Sequence, residues 1–218
     1  VTRYTPPTRL PAASVLAAAI LSAVIATPLL QGCGAFVVAG ATYGAAVVYD
    51  RRDEKTVLDD ETIEMQARVA HFQNPDIRKQ SRLAVTSYNH TALITGQARS
   101  AEISDRYARL VSNLPKVKQV YNEAEIGPNI SLTQISTDTY LTSRAKLAIQ
   151  SVDLPRFDAL RVKVVTENGI VYLLGLVTPE EADATADKVR RIPGVKRVVK
   201  LFEHIEPKRG PAQTSDRT

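Results

Sequence analysis

The chain has 218 residues and carries 28 basic against 23 acidic side chains, a formal charge of +5 that falls to +3 without Arg3 and Arg9. So mild and dispersed a balance gives no electrostatic footprint for nucleic acid. A single cysteine excludes an internal disulfide, and 8 Tyr, 4 Phe and no Trp favour small cores over one large core.

Residues 1–32 read as an address. Arg3 and Arg9 form a positive start, an Ala/Leu/Val/Ile-rich run extends from Pro11 to Leu30, and small Gly32 precedes Cys33. That order is the grammar of a secretory signal peptide, although the run also approaches the length of a short membrane anchor. Leu30-Gln31-Gly32-Cys33 resembles the bacterial lipobox, departing from it at Gln31, where a small or β-branched residue is commoner. The resemblance implies that Cys33 carries diacylglycerol on sulfur and an acyl chain on its amine. Gly34 in place of Asp implies the outer membrane. Residues 33–58 then form a tether. Its apolar part, AFVVAGATYGAAVVYD, is too short to span a bilayer as a helix, and Arg51–Glu54 mark its exit into water.

The rest of the chain contains itself twice. DDETIEMQARVAHFQ aligns with STDTYLTSRAKLAIQ, LAVTSYNHTALITGQ with VKVVTENGIVYLLGL, and LPKVKQVYNEAEI with IPGVKRVVKLFEHI, at an offset of 78 or 79 residues. The units are 59–127 and 137–206, with a linker at 128–136 and a Pro/Ser/charge-rich tail, 207–218, of disordered composition. In each, an acidic or hydroxyl residue (Asp60; Thr137 or Asp138) is the expected N-cap of a first helix. Ile63, Ala67, Ala70 and Leu141, Ala145, Ala148 are its core faces. A hairpin follows. Asn168-Gly169 between strands 161–166 and 170–175 calls for a type I′ turn, with Asn89-His90 a weaker version.

Gly96 and Gly175 should end the second strands where backbone approaches closely. Thr178-Pro179-Glu180-Glu181 is a capping box with proline at N1. Second helices present Ile103, Tyr107, Leu110 and Ala182, Ala186, Val189, and a last strand starts from Val117 or Val195. The class is α+β: two tandem α-β-β-α-β units, each a small three-stranded mixed sheet covered on one face by two helices.

These residues resemble the BON domain, and two such domains behind a lipobox resemble the dual-BON outer-membrane lipoproteins of Gram-negative bacteria. The words that carry it are DTY-LTS-RAK (138–146), VKVVTENGIVYLLGLVT (162–178) and GVKRV (194–198), with VTSYN, ITGQA and VYNE in the first copy. The resemblance implies a lipid-anchored protein facing the periplasm that binds phosphatidylglycerol and cardiolipin through the first helix of the second domain.

No catalytic constellation is visible. His71, His90 and His204 fall in different elements without metal-ligand spacing, and no phosphate loop or nucleophile elbow occurs. No enzyme, metal or cofactor is expected beyond the covalent lipid on Cys33. Tyr140, Ser143, Arg144 and Leu147 form a stripe about a right angle from that helix's core face, and the mix of aromatic, apolar and guanidinium groups suits a membrane interface. With Thr139 and Lys146 they are the candidate phospholipid-binding set. Tyr140 stands where the family's pattern usually has tryptophan, which lowers the expected affinity. Tyr140 and Leu147 could instead pack on the first domain or the linker. A second basic feature, Lys188, Arg190, Arg191, Lys196, Arg197 and Lys200, has no acid between 188 and 200, though Arg190 and Arg191 suit a helix end. In the first copy, Met65, Val69 and Phe72 make an uncharged stripe expected to be extra core rather than a partner surface. Two functions follow: an envelope-integrity lipoprotein reading anionic phospholipid, or an adaptor docking on outer-membrane assembly or division proteins.

Overall fold

The computed structural model describes residues 50–206. The expected signal peptide, Cys33, most of the tether and the tail lie outside these residues. Helix α1 (Glu54–Gln73) starts where the Asp53 carboxylate accepts from the Thr56 backbone N–H at 2.6 Å, a capping contact that draws the end of the expected tether into the first domain. Helix α4 (Leu132–Gln150) starts likewise at Ser131, so the expected linker at 128–136 is partly helical. Asp60 and Asp138 are therefore not N-caps. They lie on the second turns of their helices, pointing inward.

Both acids cap hairpins instead. Strands β1 (Ser81–Tyr88) and β2 (Thr91–Ala98) meet at Asn89-His90, and β5 (Val162–Glu167) and β6 (Ile170–Val177) at Asn168-Gly169. All four turn residues have positive φ, from 49° to 78°, the signature of a type I′ turn. Asp60 accepts from the Asn89 and His90 N–H groups at 2.7 and 2.8 Å, and Asp138 from Asn168 and Gly169 at 2.8 Å each. Such charge-assisted bonds offset the left-handed strain at His90, which lacks glycine's freedom. The short helix α2 (Pro75–Gln80) has no counterpart in the sequence-based expectation.

Helix α3 (Ala101–Ser112) leads to β3 (Gln119–Asn122) and β4 (Glu125–Ile126), both parallel to β2. They are one third strand interrupted at 123–124, so the first sheet counts four strands. In the second copy α5 (Pro179–Arg190) leads to an unbroken β7 (Arg197–His204), giving the order β5-β6-β7. The Thr178–Glu181 capping box is formed. Gly96 and Gly175 lie inside their strands rather than at the ends. A Cβ on Gly96 (φ +114°) would sit 1.9 Å from the Arg82 carbonyl oxygen, and one on Gly175 2.6 Å from that of Arg161.

Alternate strand residues serve two cores. Leu83, Ala92 and Ile94 pack under α1 and α3 with Ile63, Ala67 and Tyr107, while Val164, Val171 and Leu173 pack under α4 and α5 with Leu141, Ala145 and Val189. The opposite faces of both sheets, carrying Tyr88 and Leu93 on one and Ile170, Tyr172 and Leu174 on the other, bury against each other. The result is four layers, α/β/β/α. This explains why β2 is buried along its whole length and why IVYLLGLV in β6 is nearly continuously apolar, since a strand covered on both faces has no solvent side.

Polar contacts ring the seam. Asn89 Nδ2 donates to Glu203 (2.6 Å) and Asn168 Nδ2 to Glu125 (2.7 Å), matching contacts related by the repeat offset. Lys163 binds Glu64 (2.6 Å), and Arg82 and Gln97 both reach Glu167. Arg51 clamps the second domain by donating to the Leu176 carbonyl (2.8 Å) and both oxygens of Glu181. Both domain cores and the side-chain N-caps of α1, α3, α4 and α5 lie within residues 50–206.

Candidate functional site on the outer face of helix α4

Rotation of α4 about its axis is set from inside. Asp138, Leu141, Ala145 and Ile149 are buried, Asp138 holds the hairpin turn and accepts from Gln134 Nε2 (2.9 Å), and Thr142 Oγ1 donates to Thr166 Oγ1 (2.8 Å). The opposite side faces solvent. Thr139, Tyr140, Ser143, Arg144, Lys146 and Leu147 are all exposed. Tyr140 is 59% and Leu147 60% exposed, so neither packs on the first domain or on 128–136. The Thr139 and Ser143 hydroxyls donate to the carbonyls of Ile135 (3.0 Å) and Thr139 (3.1 Å), which leaves their lone pairs outward.

Charge on this face is one-sided. Asp138, the only acid of α4, is spent on the turn, and among the described residues no ion pair engages Arg144 or Lys146. Leu132, 83% exposed, extends the apolar row by two turns. Sequence reading missed it because it was assigned to the linker; the Ser131 cap was the signal that could have placed it. At ~1.5 Å rise per residue, Leu132, Tyr140 and Leu147 span roughly 22 Å.

Three of the six cations in the basic run at 188–200 are paired with acids, and a fourth bonds a neutral amide. Arg190 pairs with Asp187 (2.9 Å), Lys200 with Asp183 (2.9 Å), Arg197 with Glu123 (3.7 Å), and Lys196 Nζ donates to Asn168 Oδ1 (3.1 Å). On α1, the expected extra core is corrected. Met65, Val69 and Phe72, with Leu58, are between 46% and 67% exposed, because Ile63 and Ala67 on the other face already fill the space above the sheet. The histidines stay apart. His71 stacks edge-on against Tyr107 (5.3 Å) and lies 3.1 Å from Ser81 Oγ, its pKa lowered first by burial and then by Arg78. His90 lies in the hairpin turn beside Asp59, which also binds Lys116, and His204 ends β7. Among the described residues no three His, Cys, Asp or Glu side chains could share a metal ion, and no helix is long and apolar enough to cross a membrane.

The repeat with its inward acid and I′ hairpin is matched by a family. Residues 59–128 and 137–204 each match the BON domain. The chain belongs to the BON-domain family. The chain is 40% identical over 181 residues to the outer membrane lipoprotein DolP of Haemophilus influenzae, spanning 83% of this chain and 93% of the relative. It is 33% identical over 159 residues to a 21 kDa hemolysin of Actinobacillus pleuropneumoniae, spanning 72% and 80%. Among solved structures, the C-terminal domain of CdsD, a structural protein of the Chlamydia trachomatis type III secretion system, aligns over 67% of each chain at 16% identity. Its TM-score of 0.26 is too low to bear on fold or function.

Proposed function

We propose that this BON-domain protein is a non-enzymatic lipoprotein of the outer membrane, held by acyl chains on Cys33 and facing the periplasm. Its second BON domain reads anionic phospholipid, phosphatidylglycerol or cardiolipin, through Thr139, Tyr140, Ser143, Arg144, Lys146 and Leu147, and so supports envelope integrity. The observation that carries the reading is the outer face of α4, where apolar Tyr140 and Leu147 lie beside two cations while the helix's acid is turned inward. Tyr at headgroup depth, Leu among acyl chains and Arg on phosphate is the arrangement of an interfacial helix. The name of the Haemophilus relative supports the compartment. Tethering raises local concentration, so a weak headgroup site still selects membrane regions.

The test is an NMR titration of residues 50–206 with phosphatidylglycerol-doped micelles, using wild type, Tyr140→Ala and Arg144→Glu. Shifts confined to 132–150 and lost in folded variants support lipid reading. Their absence, or equal shifts with zwitterionic micelles, overturns it in favour of a protein-docking adaptor. Each basic side chain near an anionic surface contributes about 1 kcal/mol, so reversing Arg144 should weaken binding roughly thirtyfold at low salt.

A further inference from the structure

Two cations of the run at 188–200 are left over, Lys188 and Arg191. Both are exposed, and among the described residues neither makes an ion pair or a hydrogen bond. Packing fixes where they point. Helix α5 lies over β6 and β7, and Asp183 on its β7 side pairs with Lys200. Lys188 is about 140° further round α5, across the exposed side, on the flank that faces α4. Helix α4 lies over β5, where Thr142 meets Thr166. Arg144 is about 200° round α4 from Thr142, on the flank that faces α5. The loop after α5 closes on α4 at Leu141, where a Cβ on Gly194 would lie 3.3 Å from Cδ2. Lys188 and Arg144 therefore border the same stretch of the α4–α5 groove, and Arg191, three residues on, follows Lys188 on the same side.

The first copy carries the same groove without the charge. At the 78-residue offset Arg144 corresponds to Gln66 and Lys188 to Leu110. Leu110 packs against the first core and Gln66 Oε1 is buried, as positions bordering two helices should be. The second copy replaces this neutral pair with cations on both walls. No acid answers them: Asp138 is spent on the hairpin turn, and Asp187 is paired with Arg190. A cleft lined by one sign of charge concentrates the opposite ion. A guanidinium and an ammonium on facing walls suit a phosphate oxygen set. Exposed Tyr140 and Leu147, one turn to either side of Arg144, select a phosphate that carries acyl chains over a free one.

We infer that the α4–α5 groove of the second domain seats the phosphate of an anionic phospholipid, with Arg144 on one wall and Lys188 and Arg191 on the other. The inference rests on the lipid reading of α4 and makes α5 part of the same site.

Co-sedimentation of residues 50–206 with phosphatidylcholine vesicles containing phosphatidylglycerol, at low salt, tests this. Lys188→Glu should weaken binding roughly thirtyfold, as much as Arg144→Glu, while Lys188→Arg keeps it. Arg190→Glu changes the net charge equally on the other side of α5 and should weaken binding less than about threefold. All four side chains are exposed, so circular dichroism should stay native. Soluble glycerophosphate should not compete. Binding that ignores Lys188→Glu overturns the groove and leaves α4 alone as the lipid surface. Equal losses for Lys188→Glu and Arg190→Glu also overturn it, because attraction would then be diffuse. Competition by glycerophosphate at matched phosphate makes the groove a site for soluble anions and overturns the lipid seat. A wild type that binds no anionic vesicle overturns the lipid reading itself, and this inference with it.

Discussion

Helices α1 and α4 are the same element written twice, and they agree on the inside and differ on the outside. Asp60 matches Asp138, Ile63 matches Leu141 and Ala67 matches Ala145, all buried. Outside, Leu58, Met65 and Phe72 correspond to Ser136, Ser143 and Gln150, while Thr62, Gln66 and Arg68 correspond to Tyr140, Arg144 and Lys146. The inward residues are tied to a hairpin and a sheet whose geometry both copies share. The outward residues answer only to what each helix meets beyond the domain. One scaffold thus carries an apolar seam of mixed charge on one side and a cationic, amphipathic surface on the other.

The sharpest contrast between the copies is predicted at their strand glycines. Gly96→Ala should cost at least ~3 kcal/mol, because a left-handed backbone and the Arg82 carbonyl both oppose a Cβ. Gly175→Ala, with the wider approach and no positive φ, should cost measurably less in urea unfolding. Next come the hairpin acids. Asp60→Ala leaves two turn N–H groups and the Ser87 hydroxyl without their acceptor and removes one of the two carboxylates on Arg52, Asp50 remaining, for a loss of about 3–5 kcal/mol. Asp138→Ala leaves the turn and Gln134 alone, for about 2–3 kcal/mol. Equal losses would show that Asp50, already 2.6 Å from Arg52, satisfies the guanidinium on its own.

Smaller effects separate the outer faces. Tyr140→Trp should tighten anionic-vesicle binding roughly threefold, since indole is the stronger interfacial anchor, whereas Thr62→Trp at the equivalent site of α1 should leave it unchanged. The smallest effect concerns the inner faces and pH. Burial raises the Glu167 pKa despite Gln97 and Arg82, while Tyr88 at the equivalent position, also buried, is pushed up to about 12. A raised carboxyl binds protons more readily in the folded state, so its contribution is fully present in acid and lost as pH rises through the folded pKa. The stability of wild type relative to Glu167→Gln should therefore grow as pH falls from 7 towards 4, by at most ~1 kcal/mol, in parallel denaturation curves. The Tyr88→Phe comparison should be flat across the same range.

The repeat, the order α-β-β-α-β, the Asn168-Gly169 turn and the Thr178–Glu181 capping box were legible in the sequence because each rests on chemistry within a few residues. A left-handed turn needs Asn or Gly, and a helix start needs a hydroxyl and an acid at fixed spacing, wherever the chain goes next. Asp60 and Asp138 were legible as important and misread as caps, since an acid before an apolar run looks the same whether it faces its own helix end or a turn 30 residues away. Leu132 was hidden by the same error. The apolar stripes on α1 and α4 were visible as periodicity, but periodicity marks a face without saying what lies against it. Only tertiary packing decided that, because the two sheets bury their bare sides against each other and so leave both helix layers, with their second apolar stripes, on the outside of the molecule.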